Sequence, residues 1–406
     1  MPTVVLVGTL DTKGKEYEFL RDRVREHGVD VLLVDAGIVG EPLAVPDVTR
    51  EELAATVGAD VQALAKAGDR GAAVETMSRG AAEVLKRLHA EGRCDGVLGL
   101  GGSGGSALCT YAMRQLPVGV PKLMVSTVAS GDTRPYVGAV DIAMMYSVVD
   151  IAGINSVSAK ILTNAAGAIA GMAKGTVPPL PGGKPLVGAT MFGVTTPCVT
   201  RARERLEELG YEVLVFHATG TGGQSMEALA RGGFITALLD STTTELADEV
   251  GGGVLSAGPD RLEAAGELGI PQVVSLGALD MVNFGPLDSV PERLRERNLY
   301  VHNPTITLMR TTPQECAVLG ELIARKLNAA TGPTALFVPL KGVSMIAVEH
   351  QVFHDPAADE ALFSALREHL DPRVETHWLE LDINDERFAL AMADRLHELY
   401  TDWRGS

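Results

Sequence analysis

Two stretches of this chain, residues 3–37 and 185–220, run through the same order of elements. In the first, the β-branched apolar run "TVVLVG" ends in the small and polar residues "TLDTK". "GKEYEFLRDRVREHG" then sets Phe19, Leu20 and Val24 at helical spacing, His27-Gly28 closes that helix, and "VDVLLVDAG" is a second buried strand. The later stretch repeats the order: "PLVGATMFGVTTP", the charged amphipathic "CVTRARERLEELG" closed by Gly210, then "YEVLVFHATG". Asp35 and His217 end equivalent strands, each seven residues past its closing glycine. A buried strand, a helix and another buried strand in succession form a βαβ unit, which builds a parallel sheet with a right-handed crossover.

The 406 residues are long enough for two or three domains. "GTVPPLPGGKPLVG", residues 175–188, holds four prolines and a Gly-Gly pair and can continue neither a helix nor a central strand. It reads as a linker between domains 1–176 and 185–406. Further strands are expected in "CDGVLGLGG", "PKLMVSTVAS", "GFITALLDSTTT", "PQVVSLGALD" and "TALFVPLKG", with long helices near 69–91, 155–174, 312–329, 357–370 and 385–402. This alternation predicts an α/β protein of two Rossmann-like, doubly wound parallel-sheet domains joined by the Pro/Gly-rich linker.

Composition narrows the function classes. Against 35 Lys and Arg stand 52 Asp and Glu, a net charge of −17. That balance argues against nucleic acid, whose affinity rests on phosphate neutralisation, and against an anionic membrane surface. Cys94, Cys109, Cys198 and Cys316 form no CxxC pair, so neither a zinc ribbon nor a disulfide framework is expected. No basic leader and no apolar run of membrane-spanning length stand in the sequence, and a cytoplasmic protein is the expectation.

Nine apolar strands end in small, polar or acidic residues. Turn and cap chemistry accounts for some of these, but open α/β sheets bind ligands at the carboxyl ends of their strands. Among these ends, "GLGGSGGSALC" (residues 99–109) contains G-x-G-x-x-G as Gly99, Gly101 and Gly104, after a strand and opening a helix. Gly101, Gly102, Gly104 and Gly105 let the backbone approach a phosphate, and Ser103 and Ser106 add hydroxyl donors. No Lys-Ser/Thr follows, as a Walker A loop requires. The next strand also lacks the acid that would hold an NAD ribose. A helix N-terminus contributes about 0.3–1 kcal/mol to an anion, whereas micromolar binding needs about 8 kcal/mol. Neighbouring loops must therefore contribute. "GTLDTKG" offers Thr9, Thr12 and Lys13, with Asp11 as a ligand for a phosphate-bound Mg²⁺; "STVASGD" offers Ser126, Thr127, Ser130, Gly131 and Asp132.

"GTLDTKGKE", "GLGGSGGS", "STVASGD" and "MMYSVVDIAGIN" together resemble the family of the ATP-binding N-terminal domain of the tomato mosaic virus resistance protein. "HATGTGGQSME", "DSTTTELAD", "GALDMVNFG", "HNPTITLMRTT" and "PLKGVS" extend the resemblance over nearly the whole chain. It implies two Rossmann-like subdomains, ATP or a related nucleotide as ligand, and a homodimer. Plant members carry a further barrel domain like phosphoenolpyruvate mutases, so a separate barrel protein is an expected partner.

In the second half, His217, Asp240, Asp280 and Lys341 end strands, and would form an acid–base–cation cluster if they converged. Cys198, at a helix start, reads better as a packed core thiol than as a nucleophile. His350 and His354 would share a metal only on a helix, which Pro356 disfavours. The leading expectation is a nucleotide-binding protein with its phosphates at the glycine loops, Asp35 beside them, and a substrate site between the domains. The alternatives are a catabolic enzyme for a phosphorylated or carboxylated metabolite and a non-catalytic regulatory module.

Overall fold

A computed structural model describes residues 1–178 and 183–405; residues 179–182, inside the expected linker, and Ser406 lie outside the described residues. The chain divides into two compact units, Met1–Pro179 and Leu180–Ser406, each α/β. No helix among the described residues is long and apolar enough to cross a membrane.

In the first unit, β1 (Thr3–Gly8), β2 (Asp30–Asp35), β3 (Gly96–Gly101), β4 (Lys122–Ser126) and β5 (Ala143–Tyr146) form one parallel sheet in the order β2-β1-β3-β4-β5. In the second unit, β6 (Leu186–Met191), β7 (Glu212–His217), β8 (Ala237–Thr242) and β9 (Gln272–Gly277) precede a small antiparallel sheet. That sheet, ordered β10-β12-β11, consists of β10 (Met281–Phe284), β11 (Leu299–Asn303) and β12 (Ile306–Arg310). With β13 (Thr334–Pro339) and β14 (Glu375–Leu379), the main sheet is parallel in the order β14-β13-β9-β8-β6-β7. Counted within its own unit, each parallel sheet begins 2-1-3-4-5, the flavodoxin-like order, and the second adds one strand.

Strands buried on both faces explain the continuous apolar runs. In β1, Val4 and Leu6 pack with helices Leu10–Glu26 and Ser156–Lys174, while Val5 and Val7 pack with Arg70–Ala90 and Ser103–Met113. In the second unit, Val187, Ala189, Leu239 and Phe337 face helices Thr196–Glu208 and Glu386–Gly405; Val274, Leu276 and Leu336 face Pro313–Asn328 and Pro356–His369. Gly28 and Gly210 close the paired helices at φ +66° and +97°, conformations that L side chains rarely adopt.

Two local differences from the sequence expectation bear on function. The first helix begins at Leu10 rather than near Gly14, so Asp11 and Thr12 lie in its first turn, and Lys13 leaves helical geometry at φ −126°, ψ 15°. An acid in a first turn suits the helix dipole. Strands β5, β10, β11, β12 and β14 were not among the expected strands; β5 and β14 are sheet edges, without the buried run that marks a central strand.

Candidate functional site

In the first sheet the order reverses between β1 and β3, the switch point where open α/β sheets hold ligands. A cavity of about 790 Å³ lies there. One wall is polar: Thr9, Asp11, Thr12 and Lys13 after β1, and Gly101, Gly102, Ser103, Gly104 and Gly105 after β3. The other wall is apolar, with Ile38, Val39, Leu64, Val74, Met77 and Leu108.

Three helix N-termini meet this space. Helix Ser103–Met113 begins after Gly102, whose position supplies no side-chain cap, so the N–H groups of its first turn keep their donors free of side-chain acceptors. Gly101 must be glycine: a Cβ there would stand 2.9 Å from Gly105 Cα. Gly102 has room, its nearest neighbour being Thr127 Oγ1 at 3.6 Å. Helix Leu10–Glu26 likewise lacks a side-chain cap, and the Thr9 and Thr12 hydroxyls bond each other at 2.8 Å. Lys13 Nζ donates to the Ile151 carbonyl, and among the described residues no carboxylate pairs with it. Asp11 Oδ2 accepts the N–H groups of Ile38 (3.0 Å) and Val39 (2.8 Å), while its buried Oδ1 has no partner.

The third helix, Arg70–Ala90, contributes a residue the sequence reading missed. Arg70 lines the cavity, and one of its nitrogens lies 3.3 Å from where a Cβ on Gly104 would stand. It has no hydrogen-bond or ion-pair partner among the described residues. The available signal was local: a cation on a helix's first turn works against the dipole. The short helix Val61–Ala67, which carries Leu64, lies between Gly58 and Gly68, both at φ +68° with nothing packed where a Cβ would be.

The remaining first-unit candidates lie off the cavity lining. Asp35 is buried and committed, accepting from Leu10 N (3.0 Å) and Gly37 N (2.9 Å) and pairing with Arg50 at 2.7 Å. The Ser106 and Ser126 hydroxyls bond each other at 2.6 Å and are fully buried. Thr127 N donates to the Gly101 carbonyl at 3.2 Å, tying the two loops together. Ser130 and Gly131 are exposed, and Gly131 N donates to the Val128 carbonyl. Asp132 pairs with Arg134 at 2.8 Å, whose hydrogen bonds hold its carboxyl down to about 2.

The second-unit candidates do not come together. His217 ends the edge strand β7, exposed, with its ring 5.4 Å from that of Phe192. Asp240 is buried between Arg261 and Thr190, whose hydroxyl donates at 2.7 Å. Asp280 accepts from Ser344 Oγ at 2.8 Å, and burial pushes its carboxyl up to about 6. Lys341 is exposed and pairs with Glu380 at 2.7 Å. Strands β7 and β13 are four spacings apart, about 19 Å at roughly 4.8 Å each. Cys198 is buried, its thiol pushed up to about 12 by desolvation, which removes the thiolate a nucleophile needs. His350, at φ +71°, sits in a turn rather than on a helix with His354. Among the described residues no three His, Cys, Asp or Glu side chains are grouped to hold a metal.

Comparison with known proteins agrees with the two-unit architecture. Residues 2–178 match the model of the "Uncharacterised protein family (UPF0261) N-terminal domain", and residues 184–400 match that of its C-terminal domain. A UPF0261 protein of Clostridium tetani is 55% identical over 394 residues, covering 97% of this chain and 98% of its own. The ToMV resistance protein Tm-1(GCR237) of Solanum lycopersicum is 42% identical over 423 residues, covering 98% of this chain and 56% of the tomato protein. Among solved structures, the S. aureus MnaA-UDP co-structure aligns over 91% of this chain and 93% of its own at 9% identity, with a TM-score of 0.24, too low to support an argument. With both domain models matched and full-length relatives at this identity, the chain belongs to the UPF0261 family.

Proposed function

We propose that the first unit binds a nucleotide, ATP or a close relative, in the cavity at the β1/β3 switch point. The observation that carries this reading is the pairing of two unlike walls in one cavity of ligand size. The uncapped N-terminus of helix Ser103–Met113, with Lys13 and Arg70, supplies donors and positive charge for a phosphate chain. The wall of Leu64, Val74 and Met77 supplies an apolar face for a base. Asp11 is the carboxylate that would hold a phosphate-bound Mg²⁺, which would neutralise charge there.

Calorimetric titration of ATP, with and without Mg²⁺, tests the reading on the wild type and on Gly102→Val. A Cβ at Gly102 stands in ordinary contact distance of Thr127 Oγ1, 3.6 Å, and meets no backbone, so the added side chain crowds the loop from the cavity side. Wild-type binding that the variant loses is the expected result. Equal affinity in both proteins would remove the loop from the site. Thermal stabilisation by sugar acids or keto acids, with none by any nucleotide, would replace the nucleotide with a small anionic metabolite.

A further inference from the structure

The second glycine loop, residues 219–223, opens helix Thr221–Arg231, and the Gly220 and Gly223 N–H groups are already taken. Glu245, in the first turn of helix Thr244–Gly251, is fully buried. Its Oε1 accepts Gly220 N at 2.7 Å and Gly223 N at 3.0 Å, and its Oε2 accepts Arg261 Nε at 2.7 Å. Two backbone N–H groups at a helix start and one buried guanidinium are the donor set that a phosphate or carboxylate ligand receives in an anion site. The carboxylate also dictates the glycine beneath it, because a Cβ on Gly223 would fall 2.1 Å from Glu245 Oε2. A second observation concerns the switch point of the same sheet, between β6 and β8. There the Thr195 and Thr242 hydroxyls, both fully buried, bond each other at 2.8 Å and stitch together the ends of the two strands.

We propose that Glu245 is a resident anion: its carboxylate fills a binding site formed by Gly220, Gly223 and Arg261, and that site accepts a small carboxylate once the side chain is cut back. The anion site of the second unit is thus sealed by the chain's own side chain. The inference stands on second-unit geometry and does not rest on the nucleotide reading.

The test is the thermal stability of Glu245→Ala titrated with formate and acetate, against chloride at matched ionic strength. The variant is expected to melt several degrees below the wild type. Formate or acetate should restore the loss in proportion to the logarithm of concentration, with no such response in the wild type or in Glu245→Gln, whose side chain still fills the space. An alanine variant that responds to carboxylates no more than the wild type does overturns the proposal. Should that variant not fold, hydrogen exchange at the Gly220 and Gly223 amides of the wild type decides. Slow exchange unaffected by inorganic phosphate supports a resident carboxylate; fast exchange, or slowing by phosphate, refutes it. A failure of nucleotides to bind would count against the first-unit reading alone.

Discussion

Arg261→Met is the sharpest probe of how the second unit is held together. The guanidinium is completely buried and faces Asp240 through two contacts at 2.5 and 2.6 Å, Glu245 at 2.7 Å and Glu227 at 3.5 Å. Methionine replaces most of its volume, so what disappears is the counter-charge. Three carboxylates, all below a twentieth exposed, are left facing one another. Breaking a buried ion pair from one side costs about 3–5 kcal/mol, and a unit of this size loses about 2–4 °C per kcal/mol. Its melting temperature should therefore fall by roughly 6–20 °C. The loss must also depend on pH. Burial, the largest influence, already raises the Glu227 carboxyl, with Arg261 the main force pulling it back down. Without the guanidinium, Glu227 is raised further and titrates higher when folded than when unfolded. The native state then binds more protons than the unfolded chain, and stability rises as pH falls. The deficit should be greatest near about pH 8 and shrink towards about pH 5, as scanning calorimetry across a pH series would show. Adding Asp240→Asn and Glu245→Gln to the methionine variant should recover much of it. A deficit that stays constant with pH, or one below about 1 kcal/mol, would refute the argument that this arginine acts through its charge.

Gly101→Ala should destabilise the first unit by about 1–3 kcal/mol, because its Cβ meets backbone at Gly105; the matching Gly102→Val should leave the melting temperature unchanged, and thermal scans separate the two. Asp11→Asn keeps an oxygen for the Ile38 and Val39 N–H groups and removes only the charge, so ATP affinity in Mg²⁺ should fall about tenfold, some 1.4 kcal/mol, with little change in EDTA. Cys94, Cys109 and Cys198 have thiols pushed up to about 12 by burial, so alkylation at neutral pH should be slow in the native protein and follow unfolding in denaturant.

The parallel sheets were legible because their central strands are buried on both faces and must be apolar throughout, as "TVVLVG" and "ALLD" are. Strand β5 was not, being four residues at an edge with Ala143 and Tyr146 exposed. Nor were β10 and β12, whose antiparallel pairing depends on a partner more than twenty residues away. The glycine loop was legible for a local reason, since Gly101 answers to Gly105 within one turn. Arg70 and the wall of Leu64 and Val74 reach the same cavity from a segment about thirty residues earlier; the misplaced cation at a helix start marks Arg70 as unusual, but nothing local says that it meets the glycine loop. The strand-end acids misled for the converse reason. Asp35 and Asp240 have the residue type and position of ligand-binding groups, yet each faces a buried arginine that the sequence places 15 and 21 residues later.

The hinged placement of helix Val61–Ala67 has a consequence for selectivity. The glycine loop is close-packed, with Gly99 against Cys109 and Gly101 against Gly105, so the glycine-loop end of the cavity has a fixed shape. On the opposite wall Leu64 alone is carried between Gly58 and Gly68, with nothing packed against the position of either missing side chain, while Val74 and Met77 belong to the long helix Arg70–Ala90. A pocket rigid at one end and compliant at the other discriminates unevenly. Ligands should be sorted strictly by the charge and geometry of their anionic group and leniently by the size of what the apolar wall covers.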